Sequence, residues 1–145
     1  MKLSTRGRYG VAVVYDLALH YGQGHVSLKS IGERQGISDG YLHQLIGALR
    51  QAGFVKSVRG SQGGYTLTQD PTCISVGDVV RVMEGPIAPV ECLLAAADEH
   101  NSYCDRAGFC PRRGVWAKLQ VAMNETLDKI TFQDMCKSAP PTERQ

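Results

Sequence analysis

Tyr9, Val13, Leu17 and Tyr21 recur at intervals of four, and Val11, Val14 and Ala18 thicken the same stripe, so residues 5–21 are predicted to form an amphipathic helix. Gly22-Gln23-Gly24 ends it. Ser27 is placed to cap a short second helix that carries Leu28 and Ile31 as far as Gln35, and Gly36 breaks the chain. Ser38 is placed to cap a third, in which Leu42, Leu45, Ile46 and Leu49 keep helical spacing until Gly53. The period then changes. Residues 54–59 and 65–68 predict two short strands around the glycine-rich turn 60–64. Val76, Val79, Val80 and Met83 predict another short helix ending near Gly85-Pro86. Periodicity is lost over 88–113. It returns over 114–130, where Val115 and Trp116, Leu119, Met123, Leu127 and Ile130 form one apolar stripe roughly 25 Å long.

A short helix, a glycine-containing turn, a longer helix and then a hairpin is the order of a winged helix-turn-helix, a mainly α fold with a small β-hairpin. The expected organisation is a winged helix-turn-helix DNA-binding domain over 1–85 and a cysteine-rich loop over 86–113. A dimerisation helix and packing segment follow over 114–137, and then a disordered tail over 138–145. Once the core has taken the apolar positions of the third helix, Asp39, Gly40, Tyr41, His43 and Gln44 remain to reach phosphates or base edges. Arg59 stands beside Gly60 at the base of the wing, where a guanidinium can enter a narrow minor groove. One small domain cannot cover the stripe of the last helix, so a homodimer is expected, which also suits a two-fold DNA site.

Composition narrows the picture further. An apolar fraction of 43% over 145 residues supports a packed core. The polar, basic start and the interruption of the first apolar run by Asp16 and His20 fit neither a signal peptide nor a membrane span, so a cytoplasmic protein is expected. The net charge of +2 is unevenly spread: residues 1–70 hold eight Lys and Arg against four Asp and Glu, and residues 71–145 hold eight against ten. A positive amino-terminal half suits double-stranded DNA as partner.

An odd count of five cysteines points to metal or redox chemistry rather than a disulfide framework. Cys92, Cys104 and Cys110 are spaced C-x11-C-x5-C in the irregular stretch, where thiolates can converge on one soft metal centre. Structural zinc sites favour closer C-x2-4-C pairs, which this chain lacks. Unliganded thiols are the other reading. Cys73 and Cys136 stand apart beside apolar residues and are expected to pack. There is no C-x-x-C pair, nucleotide fingerprint or nucleophile-base-acid set, so neither an enzyme nor a small-molecule substrate is expected.

The opening Met1-Lys2-Leu3-Ser4-Thr5-Arg6-Gly7-Arg8-Tyr9, the run Glu33-Arg34-Gln35-Gly36-Ile37-Ser38 with Tyr41-Leu42, the wing Ser57-Val58-Arg59-Gly60 with Gly63-Gly64-Tyr65, and a three-cysteine loop before a long helix resemble the IscR-type family of iron-sulfur cluster regulators, which has nitric-oxide-sensing and iron-responsive relatives. The resemblance spans nearly the whole chain. It implies a homodimeric transcriptional regulator holding a 2Fe-2S cluster, or else 4Fe-4S, at Cys92, Cys104 and Cys110, with DNA contacts at Ser38, Tyr41, His43, Gln44 and Arg59.

The chain departs from that pattern in three places. Its first cysteine gap is longer, with an insertion over 95–102. Arg113 stands where the family places a histidine ligand, and an arginine cannot deprotonate to bind iron. His43 replaces an acidic residue, which alters the base preference that the family implies. The fourth ligand is therefore expected from elsewhere. His100 leads, with Glu91, Asp98, Glu99, His43 or the first helix of a second copy, at the position of Arg8, as alternatives. The competing function is a cluster-free or zinc-binding winged-helix repressor controlled by thiol oxidation or a protein partner.

Overall fold

The computed structural model describes residues 2–94 and 104–143. Helix α1 (Thr5–Leu19) begins where the Ser4 hydroxyl accepts the Gly7 N–H at 3.1 Å, and it buries Val13, Val14 and Leu17 completely. It ends two residues short of the predicted stripe. Gly22 adopts a positive φ of 81°, the chain turns outward, and Tyr21 is exposed instead of packed. Helix α2 (Leu28–Gln35) is capped by Ser27, whose hydroxyl accepts the Ser30 N–H, and is closed by Gly36 in the left-handed conformation. Helix α3 (Asp39–Gln51) buries Leu42, Leu45 and Leu49 fully. Ser38 occupies its N-cap position, but its side chain makes no capping hydrogen bond, contrary to the expected cap chemistry.

Strands β1 (Val55–Val58) and β2 (Gly64–Leu67) pair antiparallel, with Val55 opposite Leu67 and Val58 opposite Gly64. A third piece of backbone joins them. Val26, just before α2, exchanges hydrogen bonds with Tyr65: its N–H donates to the Tyr65 carbonyl at 2.9 Å and its carbonyl accepts the Tyr65 N–H at 2.8 Å. Gly64 is required at this seam, because a Cβ there would strike the Val26 backbone. A lone hairpin is marginal in water, and this bridge ties the wing to the helix-turn-helix.

Helix α4 (Val76–Glu84) starts with a capping box between Ser75 and Asp78 and packs against α1. The approach is close enough that a Cβ on Gly10 would meet the Met83 side chain. Glu84 closes the seam by accepting the Ser4 N–H at 2.6 Å. Helix α5 (Pro111–Lys129) begins three residues earlier than the periodicity predicted and contributes no buried residue to the core. Arg81 on α4 donates to Asn124 at 2.9 Å and pairs with Asp128 at 2.7 Å, and Gln120 and Asn124 both donate to the Ile87 carbonyl.

A last short helix, α6 (Phe132–Lys137), was not foreseen as an element. Its Phe132 is fully buried among residues of α1, and a Thr131–Asp134 capping box starts it. The expectation of a disordered tail from residue 138 gives way over 138–143. The Ser138 N–H donates back into α6, Ala139 is buried, and the Tyr15 hydroxyl donates to Glu143 at 2.7 Å. Ala139 gives this segment an apolar anchor, which no repeat in the sequence announces.

Candidate functional site

Two regions concentrate the residues singled out above. The first is the exposed front of α3 together with the wing. Ser38, Asp39, His43 and Gln44 are all exposed, and Ser38 keeps its hydroxyl available because it does not cap. Tyr41 differs: it is half-buried, its ring meeting that of Tyr9 on α1 edge-on at 5.8 Å between centroids and 70° between planes. Helices α3 and α1 are thereby in direct contact. Arg59 follows β1 immediately and is exposed, and Gly60 beside it takes a φ of 134° that a side chain would strain. His25, whose ring is hydrogen-bonded to the Gln62 carbonyl, fastens the turn of the wing to the segment before α2. Neither Val26 nor His25 was legible as part of the wing, because a single bridging residue leaves no alternating pattern.

The second region is a cavity of about 240 Å³ lined by Val90, Cys92, Cys104, Cys110, Arg112, Arg113 and Trp116. Cys92 lies in a short 3-10 turn, Glu91–Leu93, and Cys110 is the residue from which α5 starts. The three cysteines therefore share one wall space, while Cys73 and Cys136 lie outside it, Cys73 exposed and Cys136 half-buried. Burial raises the Cys136 thiol above its ordinary range. Cys110 is pushed the other way. The Arg113 backbone N–H and the Arg112 guanidinium hold its thiol below the ordinary cysteine range, as expected at a helix start beside cations.

Arg113, conspicuous in the sequence only as a missing histidine, has a distinctive place. One terminal nitrogen lies 3.5 Å from the Cys92 carbonyl, and its Nε is buried with no hydrogen-bond partner among the described residues. Such a donor is costly to leave unpaired. Among the described residues, no three His, Cys, Asp or Glu side chains lie close enough to hold a single metal ion. His100, Asp98 and Glu99, named as possible fourth ligands, lie outside the described residues. Glu91 is exposed beside Cys92.

A donor set of three thiols, two guanidiniums and an orphaned buried N–H suits a sulfur-rich anionic group better than a lone cation. A cluster distributes its ligands over several irons, whereas one ion needs them all within a single bond length. Arg112 and Arg113 would supply counter-charge to such a group.

Residues 3–138 match the Rrf2 family model, described as an iron-dependent transcriptional regulator. Over 135 residues the chain is 44% identical to the HTH-type transcriptional regulator CymR of Bacillus subtilis, covering 93% of this chain and 89% of the relative. The solved structure of that protein, described as the global cysteine regulator of B. subtilis, superposes with a TM-score of 0.79 and covers 97% of this chain and 99% of its own. The structure of T. potens IscR is 46% identical with a TM-score of 0.78, covering 98% and 90%.

Proposed function

The chain belongs to the Rrf2 family of DNA-binding transcriptional regulators, and from that membership we propose that it works as a homodimer whose hold on its operator is set by an iron-sulfur cluster, 2Fe-2S in the simplest case, at Cys92, Cys104 and Cys110. The regulators it resembles are not enzymes. The observation that carries the cluster reading is the single cavity shared by the three cysteines and walled by Arg112, Arg113 and Trp116. When bound, the cluster supplies a change of charge or of occupancy in that space. No described helix is long and apolar enough to cross a membrane.

On the DNA side, Ser38, Tyr41, His43 and Gln44 present α3 to the major groove and Arg59 presents the wing to the adjacent minor groove. The dimer is supported by α5. Val115 is 59% exposed, and half-buried Leu119, exposed Ala122 and half-buried Met123 follow it at helical spacing, on the side away from Gln120 and Asn124, which hold the helix to its own chain. An apolar row of this kind calls for a second copy.

The two regions are joined through packed elements. Cys110 sets the first turn of α5, Arg81 fixes α5 to α4, α4 seats against α1 at Gly10, and Tyr9 of α1 touches Tyr41 of the recognition helix. A shift at the cysteines is thereby passed to α3 as a rigid-body adjustment.

A second reading has its own support. The lowered Cys110 thiol suits a regulator controlled directly by thiol chemistry or by a partner protein, with no cluster. Anaerobic purification separates the two. Visible absorption with matching iron and sulfide, and DNA affinity that differs between loaded and chelator-stripped protein, support the cluster; a colourless protein with full DNA affinity that is altered by thiol oxidation supports the second reading.

A further inference from the structure

Arg113 is buried at its Nε, always charged, and shares a cavity with three cysteines, yet within the described residues its Nε–H donates to nothing. A terminal nitrogen lies 3.5 Å from the Cys92 carbonyl, which sets the guanidinium against the loop that carries the first cysteine. Arg112, the neighbouring cation, is already directed at Cys110. Both arginines line the cavity with the three cysteines, and Arg113 does so while holding a buried donor that no described residue accepts.

We propose that Arg113 is a positioning residue for a cluster in this cavity: it ligates no iron, but donates its Nε–H to a sulfur of the cluster or of a ligating thiolate. The inference rests on the cluster reading given above. Sulfur in an iron-sulfur centre is an acceptor, and hydrogen bonds and positive charge around it favour the reduced, more negative state. A guanidinium does this at any physiological pH, because it does not lose its proton. A histidine at the same place would bind the metal and titrate. Arg113 thus makes the cluster easier to reduce while leaving one iron coordination position to another group.

The test compares anaerobically reconstituted wild type, Arg113→Leu and Arg113→Lys, full chain in each case. Iron and sulfide per chain, visible circular dichroism and the midpoint potential are read, with far-ultraviolet circular dichroism as a check on fold. Both variants are expected to keep wild-type iron and sulfide content. In Arg113→Leu the midpoint moves to more negative potential and the visible spectrum changes. Arg113→Lys recovers much of the potential, since it keeps the charge.

A loaded wild type beside an Arg113→Leu protein of unchanged potential and spectrum overturns the inference and leaves the cluster reading standing. Loss of the cluster from both variants at unchanged fold also overturns it, because Arg113 would then be holding the loop in place. A wild type that takes up neither iron nor sulfide overturns both at once.

Discussion

The fully buried carboxylate of Asp16 on α1 accepts both arms of the Arg34 guanidinium, at 2.7 and 2.9 Å, and a third hydrogen bond from the Gln35 amide at 3.0 Å. Helices α1 and α2 are pinned together by one charge that has no other reason to be inside. Removing Arg34 leaves that charge with only the Gln35 amide and the His20 ring, whose Nδ1 lies 3.6 Å away, and breaking a pair typically costs about 3–5 kcal/mol when both partners are buried. Arg34 is 40% exposed at its side chain, so water recovers part of the loss, and Arg34→Ala is expected to destabilise the fold by roughly 2–3 kcal/mol. Urea unfolding measures this, and a midpoint equal to wild type would contradict it.

Arg59→Ala is expected to weaken binding to a duplex selected by the wild-type protein by on the order of 1–3 kcal/mol. Thermal stability should stay within error, since the exposed side chain packs on nothing in the core. Titration of labelled duplex at fixed salt is the measurement, and undiminished affinity would remove Arg59 from the interface.

Leu119→Asp places a carboxylate in the apolar row of α5 and is expected to convert dimer to monomer at micromolar concentration, as seen by sedimentation. DNA affinity should fall with it, because two half-sites are no longer bound together. The reasoning fails if the wild type already sediments as a monomer.

Two thiols are displaced in opposite directions, so alkylation of the metal-free protein should separate them by pH. Cys110, lowered by the Arg113 N–H and Arg112, remains thiolate below the ordinary cysteine value of about 8.5 and keeps reacting as pH falls into that range. Cys136, raised by burial, stays a thiol until pH climbs above it. Mass-mapped iodoacetamide labelling at pH 7 should mark Cys110 well before Cys136, and the reverse order would refute the assignment.

Helical periodicity made α1 to α5 legible, because α1 to α4 each bury apolar residues and α5 carries an apolar row of its own, and the strand pair was legible from its glycine-rich turn. What the sequence concealed were features with no period. Tyr21 continues the stripe of α1, but the positive φ at Gly22 takes it to the surface. Helix α6 was hidden because six residues are too few to show a repeat, although Thr131 and Asp134 spell a capping box. In the cysteine region, spacing identified Cys92, Cys104 and Cys110 as a group that shares a cavity. It could not show that Arg113 lines that cavity with one nitrogen buried and unpartnered among the described residues, since such burial depends on how the loop at Cys92 and α5 meet.

The backbone bridge between Val26 and Tyr65 has a consequence for how DNA is chosen. Because the wing is stitched to the strand-like residue that leads into the helix-turn-helix, the bridge restricts the offset between the wing and the front of α3. On the proposed contacts, a duplex would have to bring a major groove and its neighbouring minor groove to that same offset, or bend to do so. Base pairs that neither element touches thus enter the selection through the stiffness and groove width they confer. On that reading the protein would act as a gauge as well as a reader.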